Sequence, residues 1–397
     1  MSAESRVKLP KLAAAKDCTG CGACVDACAH GVLKMSIDQD GFYKVEVENA
    51  DACVGCGLCR KSCPVIETPA ADYHTPECFA AWATDRELRL RSASGGLGGA
   101  LAEAVIARGG VVYGAAIDGF RIRHIRVETV EEIVRIQGSK YQHSEMGGVF
   151  RSVRKDLAQG RRVLFVGMSC QVAGLLKFLG RSDRSRLVTV DTICGGLATM
   201  LPMLNLEKSG RYVAIHSFRD KEHGWCPLGF RYALKMERTD GSIENLGLDN
   251  PVLNAFSSKL TKRSSCLDCH FNGLDRLADI TIGDFWGLKD YQEQHAEGVS
   301  AMVVRSEQGR ALVEDMLTAG TLETRPATAA EIYACNHNLT STHYPMVRYL
   351  PTRPHVFAAL RHEDYDAFSR LISPHSLAGM PLRLYLKMHD LVCRFHK

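Results

Sequence analysis

Apolar residues recur along this chain in two rhythms, and their alternation sets the first expectation of fold. VVYGAAI at 111–117 is a continuous apolar run, as in a strand covered on both faces, while RIRHIRVET at 121–129 alternates. RRVLFVG at 161–167, LVTVDTIC at 187–194, ADITIGDFWG at 278–287 and AMVVRS at 301–306 read as further strands. Between them, SASGGLGGALAEAVIARGG at 92–110, SEMGGVFRSVRKDLAQG at 144–160 and CQVAGLLKFLG at 170–180 carry apolar positions at helical spacing. Gly109-Gly110 stops the first of these helices. Strand, helix and strand in succession predict an α/β domain with a mixed, partly parallel sheet. From about residue 325 the pattern weakens to helices and connections.

The first 70 residues follow another logic. Cys18, Cys21, Cys24 and Cys28 are spaced x2, x2, x3, and Cys53, Cys56, Cys59 and Cys63 repeat that spacing before Pro64. This is the spacing of a small α+β ferredoxin domain with two [4Fe–4S] clusters. Three thiolates two residues apart wrap one cubane, and the fourth comes from the other run. One cluster is thus expected on Cys18, Cys21, Cys24 and Cys63, the other on Cys53, Cys56, Cys59 and Cys28. Gly20, Gly22, Gly55 and Gly57 let backbone amides approach the sulfides. The repeat is imperfect, since Ala29 stands where the second run has Pro64. Residues 34–48 predict a hairpin about Asp40-Gly41. A pair of zinc ribbons is the alternative, but those use separated CxxC pairs rather than triplets closed by a fourth cysteine.

Composition narrows the class. Of 397 residues, 46% are hydrophobic and 24% charged, and 49 Lys+Arg against 45 Asp+Glu leave a net charge of +4. No basic run marks a nucleic-acid partner, and none is expected. The opening MSAESRVKLPKLAAAKDC lacks a signal-peptide apolar run, so a cytoplasmic chain without membrane association is expected. In a reducing compartment, 16 cysteines point to metal rather than to disulfides. Three regions follow: a dicluster domain over 1–72, an α/β domain over 73–325, and a helical extension over 326–397. ETPAADYHTPE at 67–77 reads as the first linker.

Two further features carry chemistry. Ser94, Gly95, Gly96 and Gly98 open a helix, where free N–H groups and the helix dipole favour a phosphate. With no strand read before it, a plain turn is the alternative. Cys170 and Cys194 lie at strand ends, and Cys266 and Cys269 form a CxxC pair, so the four could meet at one sheet edge as a four-thiolate site. Unrelated buried thiols, or zinc, are the alternatives. Cys78, Cys226, Cys335 and Cys393 show no spacing logic. His143, Asp191, His223, Asp284 and Trp286 are candidates for substrate contact or proton delivery, with structural roles the alternative.

In order, RSASGGLGGALAEAVIARGGVVYGAA, GSKYQHSEMG, VGMSCQVAGL, DTICGG, FRDKEHGW and CLDCHFNGLDRLADITIGDFWG resemble the beta-subunit family of coenzyme F420 hydrogenases and dehydrogenases, over roughly 75–305. The closer likeness is to bacterial members fused to a dicluster ferredoxin domain. The resemblance implies an FAD-containing core with a third [4Fe–4S] cluster on Cys170, Cys194, Cys266 and Cys269. It places Ser94, Gly95, Gly96, Gly98, Lys140 and Tyr141 near the flavin, Lys140 as a point charge and Tyr141 as a stacking ring. This chain departs from the family at Met168-Ser169, where Thr-Pro is usual, and at Gly195, where histidine is common.

The expected function is that of an iron–sulfur flavoprotein oxidoreductase acting on a small organic molecule or a diffusible electron carrier. The alternatives are an electron-transfer subunit serving a redox protein partner, or a deazaflavin oxidoreductase. The tail MPLRLYLKMHDLVCRFHK has an amphipathic helical pattern and is expected to pack on its own domain.

Overall fold

The computed structural model describes residues 9–372, apart from 71–74, 220, 223, 226–232, 248–249, 274, 287–295, 337–338 and 340–349. The dicluster module is built from α1 (Ala23–Asp26), strands β1 (Leu33–Ile37) and β2 (Tyr43–Val47), and α2 (Leu58–Lys61). The strands pair antiparallel from Leu33 opposite Val47 to Ile37 opposite Tyr43, about a turn at Asp40-Gly41.

The larger domain follows as β3 (Glu77–Ala83), α3 (Arg86–Arg91), α4 (Leu97–Ile106), β4 (Val111–Asp118), β5 (Arg121–Val127), β6 (Ser144–Glu145), α5 (Val149–Ala158), β7 (Val163–Met168), α6 (Ser169–Leu179) and β8 (Leu187–Thr192). After it come α7 (Leu201–Lys208), β9 (Tyr212–Ser217), β10 (Lys235–Arg238), β11 (Ile243–Asn245) and α8 (Pro251–Ser258). The chain returns through β12 (Ile280–Asp284), β13 (Ser300–Val304), α9 (Glu307–Thr318) and β14 (Leu322–Ala327), and the described part ends with α10 (Ala329–Cys335), α11 (Thr352–Arg361) and α12 (Tyr365–Ile372).

Nine strands form one sheet in the order β14-β3-β13-β12-β8-β7-β4-β5-β6. Its centre, β12-β8-β7-β4, is parallel, and it is flanked by antiparallel pairs. The apolar runs of β4 and β7 belong to this covered centre, and burial on both faces is why they do not alternate. One face packs on α4 and α9 through Leu97, Leu101, Leu312 and Val313. The other packs on α5 and α6 through Phe150, Val153, Val172 and Leu175. Burying each such side chain stabilises by about 1.5–3 kcal/mol. Strands β9 to β11 form a separate antiparallel sheet.

Several boundaries differ from the expectation. The expected linker to residue 77 ends on Glu77, the first residue of β3. The helix expected from Ser144 begins at Val149, because Ser144 and Glu145 pair with β5. The Gly-rich loop does follow a strand, β3, with α3 between, and Ala83 N–H donates to Gly95 O. The domain boundary expected at 325 falls inside β14, the sheet edge, and α11 and α12 share a core with α8. His223, Cys226 and the amphipathic tail with Cys393 lie outside the described residues. No helix among the described residues is long and apolar enough to cross a membrane.

Candidate redox centre

Gly22 and Gly57 cap α1 and α2 at φ 79° and 72°, so the same left-handed turn delivers both cysteine runs. Burial raises the Cys24 thiol, and Cys21, Cys18 and Cys63 add to the effect. Cys59 is raised in the same way by burial, with Cys28 and Cys56 contributing. Cys24 also feels Cys59, so thiols of both runs lie within one another's field.

In the large domain, Cys170, Cys194, Cys266 and Cys269 line one cavity. Cys170 is the second residue of α6, where the helix dipole favours a thiolate. Cys194 follows β8, and Cys266 and Cys269 lie in the turn after α8. Backbone amides already point at three of the sulfurs: Gly196 N–H at Cys194 (3.3 Å), Leu197 N–H at Cys266 (3.4 Å) and Phe271 N–H at Cys269 (3.4 Å). Burial pushes Cys266 up to about 11 and Cys269 up to about 12, and raises Cys170 well above its ordinary value, with mutual repulsion adding. Thiols buried in this way ionise together only against strong positive charge. Among the described residues no three ligating side chains close on a point fit for a single ion. Four thiols on one cavity wall are a donor set that either a cubane or a zinc ion takes.

The two cysteine groups abut. Gly174 lies one turn beyond Cys170 on α6, and a Cβ there would sit 2.9 Å from the Cys21 sulfur. Arg263 Nε and Ser265 Oγ, just before Cys266, donate to the Cys18 carbonyl at 2.7 and 3.1 Å. Arg263 Nη1 also donates to Tyr43 O at 2.7 Å. Asp26 at the end of α1 accepts the Phe150 amide at 3.0 Å, capping α5, whose own N-cap Gly148 has no side chain to do so. His143 is wedged behind Gly20, edge-on to Tyr43. Neither of its ring nitrogens has a hydrogen-bond partner, and burial pushes it down to about 3.

A polar path runs from the cavity to the Gly-rich loop. Gly196 touches Lys262, fully buried beside Lys259 and above the Phe256 ring. Phe256 meets Tyr141 at 4.6 Å between centroids. Tyr141 feels Arg219 and Asp284, which form a two-pronged ion pair at 2.8 and 3.0 Å. Trp225 donates to Asp284 at 2.7 Å and stacks on Trp286. Lys221 then reaches Ser94 O and Arg89 O, each at 2.5 Å, and the Glu297 carbonyl. Its burial, with Arg89 and Arg219 nearby, pushes it down to about 7. Burial alone pushes Lys140 down to about 7, and it donates to Gln137 O at 2.6 Å.

The loop itself is tightly packed. Ser94 Oγ donates to Val299 O, Gly95 N–H donates to Ser300 Oγ, and a Cβ on Gly95 would lie 2.4 Å from Ala81 O. Among the other candidates, Asp191 is fully buried and accepts from Ser169 and Arg276 on one oxygen and Thr281 on the other, which is a structural role. Met168-Ser169 is thus tied to the sheet, with Ser169 and Arg276 both on the cavity wall. The half-buried Lys259 and the buried Lys262, Arg263 and Arg276 were not singled out from sequence. The signal of the first three was there, in KLTKRSSC around Cys266.

A mixed α/β sheet with four converging thiols, fronted by an eight-cysteine module, defines an iron–sulfur redox protein. Two sequence profiles of the family described as "Coenzyme F420 hydrogenase/dehydrogenase, beta subunit" match this chain, the C-terminal profile over residues 160–330 and the N-terminal one over 78–151. A "4Fe-4S dicluster domain" profile matches 17–66. The chain belongs to the coenzyme F420 hydrogenase/dehydrogenase beta-subunit family, with a dicluster iron–sulfur domain in front. A solved structure of the F420-reducing [NiFe] hydrogenase complex from Methanosarcina barkeri, derivatised with xenon, matches over 68% of this chain and 90% of the compared chain, at 17% identity and a TM-score of 0.48. No curated protein sequence matches.

Proposed function

We propose that this chain is an FAD- and iron–sulfur-dependent oxidoreductase whose clusters form a short electron path into the sheet domain. Cys18, Cys21, Cys24 and Cys63 would hold the first cluster, Cys53, Cys56, Cys59 and Cys28 the second, and Cys170, Cys194, Cys266 and Cys269 the third. When bound, the clusters supply one-electron steps and the flavin joins them to two-electron chemistry on a small organic molecule. The observation that carries the reading is the contact between Cys21 and Gly174, which sets the first run's loop against the helix that bears Cys170. The amides of Gly196, Leu197 and Phe271 stabilise thiolate charge, and the buried Lys262 lies within the field of Cys194 and Cys266.

For the flavin, Tyr141 offers a ring and Lys140 a cation, on the path that joins the cavity to Ser94. With the Gly95 amide taken by Ser300, phosphate binding falls to Gly96, Gly98 and the first turn of α4, whose amides have no intrahelical carbonyl. The Gln142 amide and the Thr261 hydroxyl, buried beside Tyr141 without partners, supply polar contacts of the kind a flavin ring takes. A second reading, an electron-transfer subunit serving a separate catalytic partner, is consistent with the beta-subunit family.

Anaerobically reconstituted protein should hold about 12 iron and 12 sulfide per chain, with one FAD. Cys266→Ala should bring iron to about eight and leave the dicluster spectrum intact. About eight iron in the wild type would remove the third cluster. Full flavin occupancy in Gly96→Asp would remove the cradle.

A further inference from the structure

Of the eight cysteines of the dicluster module, Cys56 alone is exposed, and the surface around it is apolar. Around the second run, Val54 is 62% exposed, Leu58 46%, and Cys56 itself is exposed. A shallow groove beside them is lined by Leu9, Leu12, Val32 and Val47 together with Cys53 and Cys56. Exposed apolar side chains concentrated at one redox site are unusual on a surface with no partner. The rim is basic. Arg60 Nη1 donates to the Lys11 backbone carbonyl at 2.9 Å, Lys11 and Arg60 are both exposed, and exposed Lys61 follows on α2. Asp51 is exposed nearby, and Glu48 is engaged by Lys34.

We propose that this face is the docking port for a small acidic one-electron carrier protein. The second cysteine run would then be the outer member of the path and the first run the inner one. This rests on the ligand assignment proposed above. Charge complementarity selects the occupant: the acidic face of the carrier meets Lys11, Arg60 and Lys61, while Val54 and Leu58 supply a dry contact. In each encounter one electron passes. The reduced carrier leaves oxidised by one electron and the chain is reduced by one, with no bond made or broken.

The test uses anaerobic holoprotein and two immobilised probes in biolayer interferometry, an acidic two-cluster ferredoxin and the basic cytochrome c. Stopped-flow reduction by the reduced ferredoxin runs in parallel. Affinity for the ferredoxin should fall about tenfold between 50 and 500 mM salt, and about tenfold again in Lys11→Glu/Lys61→Glu. Val54→Asp should weaken it about fivefold. Stopped-flow rates should follow the affinities, whereas reduction by dithionite, which needs no dock, should not change. Iron content, near 12 per chain in every variant, reports separately on the ligand assignment. Salt-independent binding, wild-type affinity in the charge-reversed variant, or equal binding of cytochrome c would overturn the proposal. So would a dimer in sedimentation that Val54→Asp dissociates, which would give the face to a second copy. Tighter binding after removal of residues 2–8 would give it to that segment and overturn the proposal as well.

Discussion

Residues 18–28 and 53–63 are the same loop written twice, with the same spacing and the same left-handed glycines, yet they occupy opposite environments. A side chain on Gly20 would meet His143 at 2.7 Å and Tyr43 O at 2.9 Å, whereas one on Gly55 would meet nothing within 4 Å. Ala23 is 0% exposed and its counterpart Leu58 46%. Asp26 caps α5, while its counterpart Lys61 is exposed. Cluster chemistry dictates what the loops share, and docking dictates how they differ. The side facing the sheet domain has small and acidic residues that fit a neighbour. The other side keeps apolar and basic residues in water.

The sharpest way to break this comparison is to add one methyl group to each loop. Gly20→Ala and Gly55→Ala share the cost of a left-handed backbone, about 1–2 kcal/mol. Gly20→Ala should cost about 1–3 kcal/mol more, because the Tyr43 carbonyl it meets is backbone and cannot swing away. Urea midpoints of the holoprotein, followed by cluster absorbance, measure the difference, and equal midpoints would mean that the first loop is no more tightly enclosed than the second.

Smaller effects are expected at the next pair. Asp26→Ala should lose about 1–2 kcal/mol with the cap on α5, and Asp26→Asn should recover most of it. Lys61→Ala should stay within about 0.5 kcal/mol. The smallest effects belong to Val54→Thr and Leu58→Ser, each within about 0.5 kcal/mol of wild type, because those apolar atoms are already wet. A loss above about 1 kcal/mol in thermal denaturation would place that surface inside the chain.

What the sequence revealed and what it hid divide along physical lines. Cysteine spacing is local chemistry, so both runs could be read directly, and the long parallel strands could be read from their apolar runs. Strand β3, ECFAAWA, was hidden because alanine has little strand preference and both faces are covered. Strand β14, LETRPA, contains Pro326, which a sheet tolerates only at an edge. Lys235–Asn245 was hidden by its mixed charge and short strands. The four later cysteines could be named but not shown to converge, since Cys170 and Cys269 lie far apart along the chain. Arg276 was beyond reach for the same reason: its partner Asp191 is 85 positions away, and no periodicity links them. Nor could spacing say which loop faces inward, because that depends on Arg263 and Gly174.

The bonds from Arg263 and Ser265 to the Cys18 carbonyl span 245 and 247 positions of the chain. During synthesis the N-terminal module leaves the ribosome long before its dock exists. At ordinary translation rates that interval is roughly ten to fifty seconds. Throughout it, Thr19, Cys21 and Ala23, later sealed against α6, face solvent as openly as the outer loop does. Oxygen or a competing metal can then reach both loops equally. Once Arg263 emerges and docking completes, Cys21 is sealed while Cys56 stays exposed, so the pace of translation sets how long Cys21 must survive unprotected.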